Sequence, residues 1–258
     1  MLNHRNTAVF FILLLAAMVV AGRYTSIGIV WYVVVGAVWL SLMVTGSVLL
    51  SMDFYLKSHH RGYGEKALAL TFDDGPHPEY TPAVLDLLKL HDIQAAFFVI
   101  GRNATQYPQL IRRIDLENHV LGGHSFSHHF FFDLFPARKM REEMKQTAEA
   151  VEEVTGRRMR WFRPPYSVTN PTLALALRQK GYYSIGWSLK SRDTVAQEPE
   201  TVVNRILEKV RPGDMILFHD NRKVTAGALA LLIPALKERG FSFARPDELL
   251  KLDVYEND

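Results

Sequence analysis

Two adjacent carboxylates occur where a strand-like run ends, in the segment TFDDGP at positions 71–76. In a continuing strand their side chains would point to opposite faces of the sheet. The Gly-Pro pair directly after them predicts a turn instead, which can bring Asp73 and Asp74 into one site. A solvated acidic turn would explain the same residues, so the pair alone does not establish a site.

Two histidines lie four residues apart in the segment HSFSH at positions 124–128. On a helical turn His124 and His128 would share one face, so both imidazoles could reach one ion. One aspartate and two histidines make a three-ligand site with room for water or a substrate oxygen, as hydrolytic metal sites require. The chain has 10 histidines and His129 follows directly, so surface or core positions are the alternative.

Other polar candidates stand near the ends of later strand candidates. His219 closes the segment ILFH at 216–219, and a histidine opposite a spare carboxylate can act as the acid while the carboxylate acts as the base. Arg163 opens the segment RPPY at 163–166, where two prolines stiffen the turn, although a rigid structural loop would explain this segment equally well. Asp193 follows a strand candidate that ends near Trp187 and Ser188.

These residues can form one site only in a fold that brings the ends of several strands together. The alternation of apolar and amphipathic segments from about Lys66 onward predicts such a fold. Short apolar runs alternate with amphipathic stretches, several of which begin at or near a proline, as the first turn of a helix allows. The strand candidates are 67–72, 95–100, 120–123, 161–163, 183–188, 215–218 and 241–244. The helix candidates are 81–91, 107–118, 136–155, 171–180, 199–210 and 226–239. This alternation predicts an α/β fold whose parallel sheet is closed or nearly closed into a barrel, with chemistry at the carboxyl ends of the strands.

The motifs TFDDGP, HSFSH, RPPY, a tryptophan-to-aspartate stretch and ILFH occur in this order along the chain. With them the sequence resembles the polysaccharide deacetylases (NodB homology, carbohydrate esterase family 4) from about Lys66 to about Leu250. The resemblance implies the family's distorted (β/α)7-type barrel. It also implies a metal-dependent deacetylase that hydrolyses the N-acetyl amide of N-acetylglucosamine-type residues in a glycan, such as peptidoglycan or a chitin-like oligomer.

The resemblance gives each matching residue an expected role in catalysis. Asp73 corresponds to the catalytic base, and Arg163 to the arginine that holds this base in place. His219 corresponds to the catalytic acid, and Asp193 to the aspartate that orients this acid.

It also implies a metal site and contacts to the substrate. Asp74, His124 and His128 correspond to the ligands of one divalent metal. We expect Zn²⁺, with Co²⁺, Ni²⁺ or Mn²⁺ as alternatives, because an Asp-His-His set is permissive. The backbone amide of Tyr166 corresponds to a donor to the oxyanion, and Leu217 to the apolar contact for the acetyl methyl group.

The segment that would line the substrate groove departs from the family's pattern. Many relatives have Asp-x-x-Asp-Trp where this chain has KSRDT at 190–194, so Thr194 replaces a tryptophan and Lys190 adds a positive charge. Ser167 stands where glycine is common. These changes make a smaller or anionic substrate plausible, so the alternative function is deacylation or deformylation of a lipid-linked amino sugar at the membrane face. A non-catalytic glycan-binding relative is a third reading, but it would have lost a ligand, base or acid, and none is missing.

The first 53 residues differ sharply in composition from the rest. Residues 8–22 carry no charge, and residues 27–52 are uncharged as well. At about 1.5 Å per residue the second run spans roughly 39 Å, enough to cross a bilayer core of about 30 Å. We expect a membrane anchor at 1–53 with two transmembrane helices at about 7–23 and 27–52, a linker at 54–65 and the catalytic domain at 66–258. The first run also suits a signal peptide.

Charge and composition limit the cellular setting. The chain has no cysteine, which excludes disulfides, thiolate ligands and a cysteine nucleophile, and its net charge of +3 does not indicate nucleic-acid binding. We expect a bacterial cell or inner membrane. Arg5 before the anchor and Lys57, Arg61 and Lys66 after it favour a cytoplasmic domain, whereas a single span could leave the domain outside, where a cell-wall substrate would lie. The side of the membrane and the oligomeric state stay open.

Overall fold

The computed structural model describes residues 3–63 and 66–256. The chain begins with two antiparallel helices, α1 (His4–Ala21) and α2 (Ile29–Val48). The Tyr32 hydroxyl donates a hydrogen bond to the Met18 carbonyl, and the Phe11 ring stacks on Trp39 at a centroid distance of 5.9 Å. By length and composition, both helices could cross a membrane, and together they could form a transmembrane hairpin.

The sheet forms the centre of the remaining structure and confirms the predicted α/β architecture. Its strands are β1 (Ser58–His59), β2 (Ala67–Asp73), β3 (Ala96–Val99), β4 (Val120–Gly123), β5 (Trp161–Phe162), β6 (Tyr183–Ile185), β7 (Leu189–Lys190), β8 (Met215–His219) and β9 (Ser242–Phe243). The order is β1-β6-β5-β4-β3-β2-β8-β7, with β9 beside β2, and all named strand pairs are parallel. The sheet curls into a half-barrel that is open between β1 and β7.

Two of these short strands were not among the sequence-based expectations. β1 lies in the stretch expected to be a linker and pairs with β6, Ser58 opposite Ser184. β7 is separated from β6 by only three residues, yet it pairs with β8 at the other end of the sheet. The strand predicted at 183–188 therefore ends at Ile185, because the chain crosses the opening of the half-barrel over residues 186–188.

The helices cover the outside of the sheet. They are α3 (Tyr80–Leu90), α4 (Gly101–Gln106), α5 (Pro108–Leu116), α6 (Ala137–Thr155), α7 (Pro171–Lys180), α8 (Pro199–Lys209), α9 (Lys223–Glu238) and α10 (Pro246–Leu250). The six predicted helices are present, and α4 and α10 are additional. Proline occupies the first turn of α5, α7, α8 and α10, where its missing N–H has no partner to lose.

The side chains of β2 separate the core into an outer and an inner layer. Leu68, Leu70 and Phe72 pack with the helices, whereas Ala69 packs with the residues inside the barrel. Since side chains alternate along a strand, Asp73 shares the inner face with Ala69 and lies at the carboxyl end. The buried strand thus positions a carboxylate at the edge where chemistry is expected.

The last turn of α2 contacts this same edge of the barrel. Ser47 and Thr169 are joined twice, by a hydrogen bond from the Ser47 hydroxyl to the Thr169 carbonyl at 2.6 Å and by one from the Thr169 amide to the Ser47 carbonyl at 2.9 Å. Thr169 belongs to the loop that follows β5. The two apolar helices are thereby attached to the carboxyl edge of the sheet.

Candidate metal and catalytic centre

Asp73 is held at the end of β2 by a completely buried arginine. Arg163, directly after β5, donates from Nη1 to Asp73 Oδ1 at 2.7 Å and to the Thr71 hydroxyl at 3.0 Å. Its other nitrogens donate to the carbonyls of Ile185 at 3.1 Å and Gly186 at 2.7 Å. Four hydrogen bonds fix the guanidinium, so one carboxylate oxygen of Asp73 is oriented while Oδ2 stays available to a ligand.

Asp74 lies in a tight turn, as the Gly-Pro pair predicted. Its φ of 73° is left-handed, and the Asn103 side chain donates to its carbonyl at 3.0 Å. The following residue, Gly75, packs so closely against the Asp220 carboxylate that a Cβ would clash with it. Glycine is therefore required here, and the turn directs the Asp74 carboxylate toward the two histidines.

The ligand atoms of Asp74, His124 and His128 converge, and all lie within 4.8 Å of one another. Asp74 Oδ1 is 3.6 Å from His124 Nε2 and 3.3 Å from His128 Nε2. His124 Nδ1 is 2.7 Å from the Arg163 carbonyl, which can only accept, so Nδ1 carries the proton and Nε2 has a free lone pair toward the centre.

The protonation state of His128 also suits metal binding. The pKa of His128 is lowered, mainly by burial and to a smaller extent by the nearby His124. The lowered pKa favours the neutral imidazole that a metal ligand must be. The donor set of two imidazoles and one carboxylate fits a divalent ion and leaves a coordination position open on the cavity side. The predicted ligands are thus brought together, and the identity of the metal stays a prediction.

The segment 124–128 is an irregular loop, so the expected helical turn is wrong. Ser125 and His128 adopt left-handed φ angles of 62° and 47°, and the Ser125 hydroxyl accepts from the His128 amide at 3.0 Å. The buried Glu143 of α6 accepts from the Phe126 amide at 3.0 Å and from the Ser127 amide at 2.7 Å. These hydrogen bonds, rather than helix geometry, hold the two histidines on one side.

His219 ends β8 beside Asp73 of β2, and its side chain is bonded to Asp193. Its Nδ1 donates to Asp193 Oδ1 at 2.8 Å, and its backbone amide donates to Oδ2 at 2.7 Å. The Thr225 hydroxyl also donates to Oδ2, at 2.8 Å. Burial alone lowers the pKa of His219, but the hydrogen bond and charge of Asp193 outweigh it and raise this pKa. The pair therefore favours a cationic imidazole, as a general acid requires.

One cavity of about 500 Å³ is lined by the candidate ligands, base and acid, which are Asp73, Asp74, His124, His128 and His219. Leu217 is buried in β8 and lies in its wall, next to His219. Tyr166 and Ser167, both with left-handed φ of 58°, form another part of the wall, and Ser167 accepts a hydrogen bond from Trp187 Nε1 at 2.9 Å. The role expected for the Tyr166 backbone amide stays a prediction.

The mouth of the cavity carries positive charge. Arg102, Lys190 and Arg222 line it, together with Thr194 and Asn221. The Lys190 ammonium lies 5.7 Å from the centroid of the Trp187 ring. The positive charge that the sequence placed near the groove is thus part of its wall, and two arginines that the sequence did not single out join it.

Several residues of the site were missed because no motif contains them. Glu143 is one of several glutamates along α6, and nothing in the sequence tells which of them is buried. Thr225 lies in α9, well apart in sequence from the aspartate that it contacts. Asp220 could have been found from the sequence, since it directly follows His219. Burial raises its pKa to about 7, and its Oδ2 accepts a hydrogen bond from the Thr81 hydroxyl at 2.6 Å.

Comparisons with known proteins identify the family of the chain. The family model described as polysaccharide deacetylase matches residues 60–185. The chain is 34% identical over 193 residues to a chitooligosaccharide deacetylase of Azorhizobium caulinodans, covering 69% of this chain and 91% of the relative. It is 33% identical over 200 residues to a peptidoglycan-N-acetylglucosamine deacetylase of Bacillus cereus, covering 72% and 89%. The crystal structure of the Bc1960 peptidoglycan N-acetylglucosamine deacetylase superposes with a TM-score of 0.73 at 29% identity, covering 77% of this chain and 95% of that one.

Proposed function

The chain belongs to the polysaccharide deacetylase family of hydrolases acting on N-acetyl amide bonds, and from this premise we propose that it is a metal-dependent deacetylase of N-acetylglucosamine-type residues in a glycan. One observation carries the proposal. The Asp74-His124-His128 set shares one cavity with a carboxylate fixed by Arg163 and a histidine fixed by Asp193. This arrangement supplies a metal site, a base and an acid for amide hydrolysis.

A divalent ion on Asp74, His124 and His128 would polarise the amide carbonyl and lower the pKa of a water molecule. Zinc suits this donor set, and cobalt, nickel or manganese are alternatives. Asp73 takes the proton of the attacking water through Oδ2, because Oδ1 is occupied by Arg163. The hydrogen-bonded guanidinium prevents the carboxylate from rotating away from the centre.

The remaining groups act on the amide itself. His219 protonates the departing amine nitrogen, since its Nδ1 is bonded to Asp193 and its Nε2 remains for the substrate. The Tyr166 amide stabilises the oxyanion, a contribution that is typically large. Leu217 contacts the acetyl methyl group, which its buried position in the cavity wall favours.

The Asp73→Asn variant tests the assignment of the base. We expect acetate release from an N-acetylated chitooligosaccharide to fall by about 100-fold or more, because an amide cannot accept the proton of water. Zinc content, measured by mass spectrometry on the same full-length protein, should stay at the wild-type level because the three ligands are intact. Unchanged turnover in this variant would reject the mechanism.

A second candidate function is deacylation of a lipid-linked amino sugar at the membrane face. It is favoured by the positive mouth of the cavity, where Arg102, Lys190 and Arg222 could face a phosphate next to the sugar. We propose that α1 and α2 anchor the catalytic domain, 66–258, in a bacterial membrane. A reporter fused to the C-terminus separates the candidates, since a cytoplasmic reporter excludes mature peptidoglycan as the substrate.

A further inference from the structure

Four large apolar side chains are exposed together beside the mouth of the cavity. They are Phe130, Phe131, Leu134 and Tyr166, with exposed fractions of 69%, 52%, 73% and 50%. The Phe130 ring lies 4.9 Å from Phe131 and 5.9 Å from Tyr166, between ring centroids. We call these four residues the aromatic patch. A contiguous exposed apolar surface of this kind marks an interaction site in a protein that is otherwise well packed.

The aromatic patch lies next to the point where α2 meets the catalytic domain. Thr169 is bonded to Ser47 in the last turn of α2, and its neighbour Asn170 donates from Nδ2 to the Asp133 carbonyl at 2.7 Å. Asp133 directly precedes Leu134 of the patch. A short chain of hydrogen bonds therefore connects the end of a proposed membrane helix to the patch, and both lie at the carboxyl edge of the sheet.

Basic residues flank the patch and the base of the two helices. Arg138 and Lys139 are exposed immediately after it, and Lys139 Nζ lies 3.6 Å from the centroid of the Phe135 ring. A separate cavity of about 390 Å³ between the start of α1, residues 55–57 and α7 is lined by Arg5, Lys57 and Arg178, and no aspartate or glutamate is among its lining residues. Aromatic side chains next to basic ones are typical of surfaces that rest on anionic headgroups.

We propose that the aromatic patch is a second membrane contact, immersed in the interfacial region of a phospholipid bilayer beside the two apolar helices. Tyr166 belongs both to the patch and to the cavity wall, so this contact places the mouth of the cavity at the bilayer surface. An N-acylated sugar carried by a lipid can then enter without leaving the membrane. The proposal rests on the proposed anchoring of α1 and α2, and it does not depend on which amide is hydrolysed.

The absence of cysteine from the chain makes a direct depth measurement available. Phe131→Cys and Leu134→Cys each introduce a single site for a nitroxide label in the patch. Leu116→Cys is the matched control, since Leu116 is 77% exposed but ends α5 at the opposite edge of the sheet. Val38→Cys in the middle of α2 is the reference inside the bilayer. Each full-length variant is reconstituted in vesicles of phosphatidylcholine and phosphatidylglycerol, and retained metal content shows that it is folded.

We expect the labels at 131 and 134 to collide more with oxygen and less with a water-soluble nickel complex than the label at 116. Their depth should be about 5–10 Å below the headgroups, as for residues of an interfacial segment. The proposal would be overturned if the nickel complex reached the labels at 131 and 134 as easily as the label at 116. The aromatic patch would then be interpreted as a surface on which a glycan stacks. A water-exposed label at 38 would overturn it too, and acetate release measured on the same samples reports separately on the proposed function.

Discussion

Asp73 and His219 are paired neighbours at the ends of β2 and β8 and line the same cavity, and each has a buried partner that suits its predicted role. Asp73 accepts from the buried guanidinium of Arg163, which stabilises the carboxylate that a base must be. His219 is bonded to Asp193, which raises the pKa of the imidazole in spite of its burial. The proposed acid and the proposed base can therefore coexist in one small cavity, because each has its own buried partner of opposite charge.

The pH dependence of activity should follow the partner of His219. In the wild-type protein the raised pKa keeps the imidazole protonated to higher pH, and the rate falls on the alkaline side when the proton is lost. Asp193→Asn removes the charge that outweighs burial, so the pKa of His219 falls. We expect the alkaline limb of the kcat/KM profile to move to lower pH.

Thr225→Val provides the matched control for this experiment. It removes one hydrogen bond to the Asp193 carboxylate but keeps its charge, so the alkaline limb should move less than in Asp193→Asn. An alkaline limb that stays in place in Asp193→Asn would show that another group sets it.

Glu143 should control metal affinity although it cannot reach the metal. Its carboxylate accepts from two amides and one hydroxyl of the loop between His124 and His128. Glu143→Gln replaces one accepting oxygen by a donor, which repels an amide N–H and loosens the loop. We expect the affinity for zinc to fall by about 10-fold, the lower range for loss of a group that orients metal ligands, in a competition titration with a chelator.

Glu142→Gln makes the same chemical change one residue earlier on the exposed face of α6, where Glu142 contacts only Gln146 in the described structure. It should leave zinc affinity unchanged. Equal losses in both variants would point to a general effect on α6 rather than to the loop.

The sequence predicted which residues line the candidate site better than it predicted which residues hold them in place. Asp73, Asp74, His124, His128 and His219 are recognisable because they follow strands in ordered motifs. Glu143 is not, because its role depends on which face of α6 is buried against a loop far away in sequence. The helical turn predicted at 124–128 was wrong for the same reason: spacing alone does not show that a buried carboxylate binds the loop amides.

At the scale of elements, the inner face of the barrel depends on one guanidinium that joins three strands. Arg163 follows β5 and binds residues of β2 and of the segment at the end of β6. Sequence patterns predicted seven of the nine described strands, but the curvature that brings β2 and β6 to the same arginine results from long-range packing. The division of 183–190 into β6 and β7 has the same origin.

Removing this arginine should destabilise the fold as well as the site. Arg163→Ala leaves Asp73 buried without its partner, and loss of one member of a buried pair costs about 3–5 kcal/mol. We expect a decrease of that size in the free energy of unfolding of the metal-free protein, measured by chemical denaturation in detergent. Lys145→Ala breaks an exposed pair with Glu149 and should cost about 0.5 kcal/mol or less. Similar values for the two variants would contradict the buried-pair argument.

At the scale of the whole molecule, the two apolar helices and the barrel meet at the catalytic edge. The sequence predicted the two helices from length and composition, but it held no sign of the contact between Ser47 and Thr169, which are 122 residues apart. Gly46 belongs to this junction, since the Phe54 ring occupies the space that a Cβ would need. The close approach of Phe54 to α2 therefore requires glycine at this position.

Gly46→Ala should weaken the junction, whereas Gly36→Ala in the same helix should not, because nothing lies within 4 Å of a Cβ at Gly36. Overpacking against Phe54 at Gly46 costs about 1–3 kcal/mol. A shift of the last turn of α2 that relieves it would weaken the hydrogen bonds that Thr169 donates to the carbonyls of Gly46 and Ser47. Hydrogen exchange of the Thr169 amide reports this directly, since that amide donates to the Ser47 carbonyl. We expect faster exchange in Gly46→Ala and wild-type exchange in Gly36→Ala. If the Thr169 amide exchanges as slowly in Gly46→Ala as in the wild type, the barrel holds this loop without the helices. The candidate site would then not depend on α1 and α2.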